Sequence, residues 1–232
     1  MYAWSRMKRP RPGTLAAITA LTSAAGLLTA TARADDSSTG APTATAAASA
    51  TERLAAPPPS GHAYIQYGVA LAAETVASSG AICAGLPNCI FGSGGGLVVR
   101  VGWRPSDAFF IGGSYEVSKQ DPDQLYRLGI LQQLRAEGRR YFATGREVTP
   151  FLLVGAGVAA YGNEWTVDTW GPTATLGGGI EVELGGPVLL LSAAYRPMYF
   201  HSWDVSGTEL GSGIVHFVGL DIAVEAKDRL QR

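Results

Sequence analysis

The side chains that could do chemistry here are mostly charged, and they recur at even spacings inside apolar runs. Glu74, Arg100, Arg104, Glu116, Arg127, Arg135, Glu137, Arg139, Glu181, Glu183, Arg196, Asp221 and Glu225 share the parity of glycine and serine in their segments. The opposite parity carries Val, Leu, Ile and aromatic residues with almost no charge. Successive side chains of a strand point to opposite faces, so one parity is one face. A face holding carboxylates and guanidiniums in nearly equal number suits mutual ion pairing, since a buried charge is tolerated only with its partner.

Other reactive groups are few. Cys83 and Cys89 sit in one long connection. In an exported chain such a pair meets an oxidising compartment and closes a disulfide. His201 and Ser202 are adjacent, so in a strand they would point to opposite faces. In a loop they can converge, but no H-x-S spacing supports a hydrolytic pair. His216 falls on the apolar parity, where a lone histidine is tolerated near an interface. No Walker loop, nucleophile elbow or metal-ligand cluster appears. The glycine triplets at 94–96 and 177–179 read as close strand packing. No catalytic residue, cofactor or metal ligand is assigned, and the chain is read as a non-enzyme.

These residues need strands to position them. Over residues 96–117, Leu97, Val99, Val101 and Trp103 alternate with Val98, Arg100, Gly102 and Arg104. After Pro105, Ser106 and Asp107 the alternation resumes with Phe109, Ile111, Gly113, Tyr115 and Val117. Period two on both sides of a Pro/Asp turn predicts an antiparallel hairpin. The same period predicts strands from residue 63, over 126–142, 149–161, 174–183 and 189–199, and from 214 to the mid-220s. That makes eight in all. The segment 128–140 also fits a short amphipathic helix.

The ends of the chain read differently. Arg6, Lys8, Arg9 and Arg11 precede an apolar run over 14–29, and Ala32-Arg33-Ala34 fits small-x-small cleavage. Residues 1–34 are therefore predicted to be a signal peptide. Without them the 18 basic and 19 acidic residues become 13 and 19, a net charge of −6 that offers nucleic acid nothing to bind. Residues 35–60, rich in Ala, Thr and Pro, have no hydrophobic period and predict a disordered linker. The barrel is predicted over 61–226 and a short tail over 227–232.

A soluble sheet and a membrane barrel share this alternation. Three features separate them. The charged face is also the glycine face, which suits a small polar lumen with the apolar set toward lipid. Connections after odd strands are mostly long, and those after even strands are tight, as in outer-membrane barrels. Aromatics fall near strand ends. Trp103, Phe109 and Phe142 mark the short-turn end, and Tyr126, Tyr161 and Tyr199 the long-loop end, as two interfacial girdles.

With a signal, eight strands and the phrase TPFLLVGAGVAAYG at 149–162, the chain resembles the small outer-membrane β-barrels of Gram-negative bacteria, OmpA- or OmpW-like. The resemblance covers roughly residues 61–226. It implies an all-β, eight-stranded antiparallel up-and-down transmembrane barrel. Members usually end on a terminal aromatic, whereas this sequence continues Lys227-Asp228-Arg229-Leu230-Gln231-Arg232. No peptidoglycan-binding domain is expected after the barrel.

The expected function is a structural or interaction barrel with an ion-paired, plugged lumen. An OmpW-like transporter of small hydrophobic molecules is the alternative, followed by a lipid A-modifying enzyme. Expected partners are outer-membrane lipid and lipopolysaccharide, and the barrel-assembly machinery. The loops holding Cys83, Pro122, Trp165 and Asp204 are expected outside the cell, with the linker and C-terminus periplasmic. Glu74, Glu116, Arg127 and Arg196 are expected toward the external end, and Arg104, Arg135, Arg139, Glu181, Glu183 and Glu225 toward the periplasmic end. Glu116 and Arg127, flanking one loop, are the expected direct pair.

Overall fold

The computed structural model describes residues 63–84 and 86–230. The signal-peptide and linker assignments lie outside these residues. The strands are β1 (Tyr64–Ser78), β2 (Gly94–Ser106), β3 (Phe109–Lys119), β4 (Gly129–Tyr141), β5 (Val148–Asn163), β6 (Thr169–Glu183), β7 (Val188–Phe200), β8 (Trp203–Val205), β9 (Thr208–Leu210) and β10 (Gly213–Arg229). Eight of them close antiparallel in the order β1-β10-β7-β6-β5-β4-β3-β2. The expected eight-stranded up-and-down barrel is the observed fold. β8 and β9 form a separate two-stranded hairpin in the last long loop, a segment the sequence marks only as a connection.

Parity explains the wall. In β1, Gln66, Ala70, Ala72 and Glu74 are buried while Tyr67, Val69, Leu71 and Ala73 are exposed. The other long strands alternate in the same sense, so exposed residues are the large apolar ones and buried residues include the charges. Closure pairs β1 with β10 from Tyr64↔Arg229 up to Ser78↔His216. The barrel sheet therefore has no open edge, which a lipid-embedded sheet requires.

Three boundaries differ from the sequence expectation. β4 begins at Gly129, so residues 126–128 belong to a loop. No helix forms at 128–140, because each of these residues from Gly129 on is paired on both sides by β3 and β5 or by one of them. β10 runs through Arg229, so Lys227 and Asp228 are wall residues and the tail is shorter than expected. β6 begins at Thr169, which shortens the β5–β6 loop to residues 164–168 and puts Trp170 in the wall.

Glycine makes room inside at one tight point. A Cβ at Gly102 or Gly112 would come within 2.4 or 2.6 Å of the Phe110 ring. These two positions, paired across β2 and β3, let that ring lie flat against the wall near the short-turn end.

Candidate functional site

Eight strands leave a lumen only just wide enough for side chains. Here it is filled in three levels.

The long-loop end is closed by a cap. Residues 79–84 and 86–93 fold inward and place Ile82, Ile90 and Phe91 in a buried cluster with Tyr161, Met198, Phe200 and Phe217 from the wall. The β8–β9 hairpin adds Trp203, Val205 and Leu210 to the same cluster. The Phe91 ring lies 4.7 Å from Tyr161, 5.2 Å from Phe200, 5.8 Å from Phe217 and 5.9 Å from Trp203, centroid to centroid. The Tyr161 hydroxyl donates to the Ile90 carbonyl at 3.2 Å. Cys83 and Cys89 are joined by the expected disulfide, with Cys83 in the left-handed region at φ 64°. The Cys89 amide donates to Asp123 at 2.8 Å, clasping this cap to the β3–β4 loop. Buried Asp121 accepts the amides of Leu125 and Tyr126 and so shapes that loop. Burial, with Asp168 nearby, holds the Tyr126 phenol protonated well above the ordinary tyrosine range.

Below the cap lies a layer of ion pairs. Arg196 reaches Glu74 at 2.6 Å, Asp221 at 2.9 Å and Glu116 at 3.3 Å. Arg135 reaches Glu116 at 2.8 Å and Glu137 at 3.4 Å. Arg100 reaches Asp221 at 2.6 Å and Glu137 at 3.4 Å. Neutral donors complete it. Ser118, Gln120 and Gln133 donate to Glu74, and Ser114 donates to Glu137.

Toward the short turns a second set of pairs is interleaved with rings. Arg139 holds Glu225 through both terminal nitrogens, at 3.0 and 2.9 Å. Its guanidinium carbon lies 4.4 Å from the Phe110 centroid, and that of Arg104 lies 4.1 Å from Tyr141. Stacking of this kind covers the flat faces of a guanidinium that its in-plane hydrogen bonds leave bare. Arg104 pairs with Glu181 at 2.8 Å, and Gln66 bridges Glu225 at 2.7 Å. Lys227 closes the rim on Glu181 and Glu183.

The expected lumen residues Glu74, Arg100, Arg104, Glu116, Arg135, Glu181, Arg196 and Asp221 thus sit together inside, with Glu183 at the rim. Arg127 does not join them. Its side chain is 85 % exposed and pairs with Glu164 at 2.9 Å on the outside. The expected Glu116–Arg127 pair is therefore corrected to Glu116 with Arg135 and Arg196. The reason is the start of β4 at Gly129, which leaves Arg127 in the loop. Arg135 also sits higher than expected, grouped with Glu116 in the upper layer. Lys227, Gln66 and Gln133 are contributors that sequence reasoning did not single out. The two glutamines carried the signal of inward parity, and Lys227 was hidden by the early end assigned to the last strand.

The outer surface is the inverse. Val69, Leu71, Val99, Val101, Ile111, Leu134, Val154, Leu176, Leu220 and Ile222 stand exposed around it. Polar groups mark its edges. Toward the short turns Arg140 lies over the Phe109 ring at 4.1 Å, and Tyr67 donates to Asp228 at 3.0 Å. Toward the long loops Tyr115 donates to Gln132 at 2.8 Å, and Tyr195 meets His216. Gln132 and Arg140 lie eight residues apart on β4, which is about 27 Å of strand at ~3.4 Å per residue. Trp103, Phe109 and Phe142 are outward as expected. Tyr126 and Tyr161 are not girdle residues, since both pack into the cap cluster. Tyr199 is outward as expected, and Trp170 and Tyr195 stand beside it in place of the other two.

The reactive pair does not converge. The His201 ring lies between Trp170 at 5.7 Å and Tyr199 at 5.4 Å. The Ser202 hydroxyl is within bonding distance of Glu209 at 3.0 Å and the Leu210 carbonyl at 2.8 Å. Among the described residues no group of His, Cys, Asp and Glu is arranged to hold a metal ion.

No protein-family model matches the chain, and no curated protein does. Solved structures do. Neisserial surface protein A is 16% identical, with 72% of this chain and 98% of that one covered at a TM-score of 0.47. The outer membrane protein AlkL, solved in lipid bilayers, is 11% identical, with 85% and 99% covered at 0.47. The outer membrane protein OprG from Pseudomonas aeruginosa is 13% identical, with 74% and 98% covered at 0.44.

Proposed function

We propose that this chain is an integral outer-membrane β-barrel of structural or interaction type, with a closed lumen and its long loops displayed outside the cell. The observation that supports this reading is the inversion of polarity. Ion pairs fill the inside and large apolar side chains cover the outside, the reverse of a soluble barrel. An apolar belt of this extent exposed to water would be an aggregation surface, and against lipid it is the favoured arrangement. Phospholipid and lipopolysaccharide are the partners of the belt, and the barrel-assembly machinery is the partner for insertion.

The displayed surface is the cap. Loops at 79–93, 120–128 and 201–212 converge there, and the chain enters β1 and leaves β10 at the other end. That end is periplasmic in this reading. Planar-bilayer recording on the pure protein is the test, with no steady conductance of porin size expected. A tag at Asp204 should be reachable on intact cells, and a tag in the Ser106 turn should not. An exposed Ser106 tag with a protected Asp204 tag reverses the orientation.

A further inference from the structure

The ion pairs inside the barrel do not balance, and the imbalance is local. Around the short-turn end Arg104, Arg139 and Lys227 face Glu181, Glu183 and Glu225, three against three. In the layer beneath the cap Arg100, Arg135 and Arg196 face Glu74, Glu116, Glu137 and Asp221, three against four. The lending of Arg139 to Glu137 at 3.8 Å does not change the total of the lumen. All seven side chains of the upper layer are almost fully buried. β5 and β6 face this layer with Gly157 and Thr173, paired with each other, and bring no charge. Asp121 above it is held by loop amides, and Lys119 and His216 are on the outer face.

An uncompensated carboxylate in a dry interior is costly, and such a group takes up a proton instead. Asp221 Oδ1 and Glu137 Oε2 are buried with no hydrogen-bond partner, and so are the Nε donors of Arg100 and Arg196, so the excess in this layer is one of charge and not of acceptors.

We propose that the layer is a binding site for one proton, carried by Glu116. The four carboxylates are not equally held. Glu74 receives bonds from Ser118, Gln120, Gln133 and Arg196. Glu137 has three arginines and Ser114 around it. Asp221 has arginines at 2.6 and 2.9 Å. Glu116 shares both of its arginines with other carboxylates, as Asp221 does, but its contacts are longer, with Arg135 at 2.8 Å and Arg196 at 3.3 and 3.5 Å. Glu116 and Glu74 also lie against the same nitrogen, Arg196 Nη1, so a proton there removes the closest like-charge conflict.

This inference rests on the closed lumen of the proposed function, and the two are separable by experiment. Infrared spectroscopy of the wild-type barrel at neutral pH should show the C=O stretch of one protonated carboxyl, and glutamate-selective ¹³C labelling should shift it. The band should vanish in Glu116→Gln, which should assemble as well as wild type because it restores three against three. Absence of the band, a band that moves with aspartate labelling, or a band that persists in Glu116→Gln overturns the proposal. The labelling needs no variant, so an absent band or an aspartate band overturns the proposal even if Glu116→Gln does not assemble. A silent bilayer without the band defeats the proton alone, whereas porin-size conductance with the band defeats the closed lumen alone.

Discussion

The cap and the ion-paired layer close the same lumen by opposite means. The layer is built by strands, and its seven members come from six of them: Glu74 on β1, Arg100 on β2, Glu116 on β3, Arg135 and Glu137 on β4, Arg196 on β7 and Asp221 on β10. It is held by directional bonds between charges with almost no access to water. The cap is built by irregular loops and one small hairpin around Phe91, and it is held by ring contacts and burial. A layer of paired charges is intolerant, because removing a guanidinium strands the carboxylates it holds. An apolar cluster is graded, because each deletion costs about what it buried plus the cavity it leaves.

The sharpest test of that contrast is Arg196→Ala. It leaves Glu74, Glu116 and Asp221 without a shared guanidinium, and a broken buried pair costs roughly 3–5 kcal/mol. Urea unfolding of the refolded barrel should lose at least that much, and a loss under ~1 kcal/mol would mean that water fills the layer. Phe91→Ala should come next, at about 3 kcal/mol, the low end for a buried phenylalanine because the cap can partly collapse. Its signature should be local, with faster amide exchange in the 79–93 loop and unchanged exchange in the strands. Uniform loosening of the whole wall would show that the cap is not an independent cluster.

Replacing Cys83 and Cys89 together by serine should cost less, about 2 kcal/mol, because the loop it closes is short. Heat-resistant folded migration in detergent should persist. Conversion to the unfolded form at room temperature would make the disulfide essential to the barrel. Smallest of all is Arg127→Ala, whose exposed pair with Glu164 is worth about 0–1 kcal/mol. A measured loss as large as that of Arg196→Ala would return Arg127 to the lumen.

Parity carried most of what could be read in advance. Period two is a property of the extended chain itself, so any strand assigned correctly delivers its inward set. Glu74, Arg100, Glu116, Arg196 and Asp221 were legible on that ground alone, as were the outward Val69, Val99, Ile111 and Leu220. The errors fall where parity has no grip. Arg127 has the right parity for β4 but lies before its first residue, Gly129. Tyr126 and Tyr161 sit near strand ends, where aromatic residues face either the membrane interface or the lumen mouth. Only the filling of that mouth by Phe91 and Trp203 turned them inward.

The sequence by itself determined the two faces, the number of main strands, the asymmetry of most connections and the cysteine pair. All of these follow from local spacing and from composition. Only the tertiary structure decided which charge meets which. Partners such as Arg196 and Glu74, or Arg100 and Asp221, are more than a hundred residues apart. Their meeting depends on the stagger of the closed barrel, which sets the relative height of strands that are not neighbours. The cap was likewise invisible, because Phe91 lies in a loop with no period and gains its place from four rings that different parts of the chain bring together.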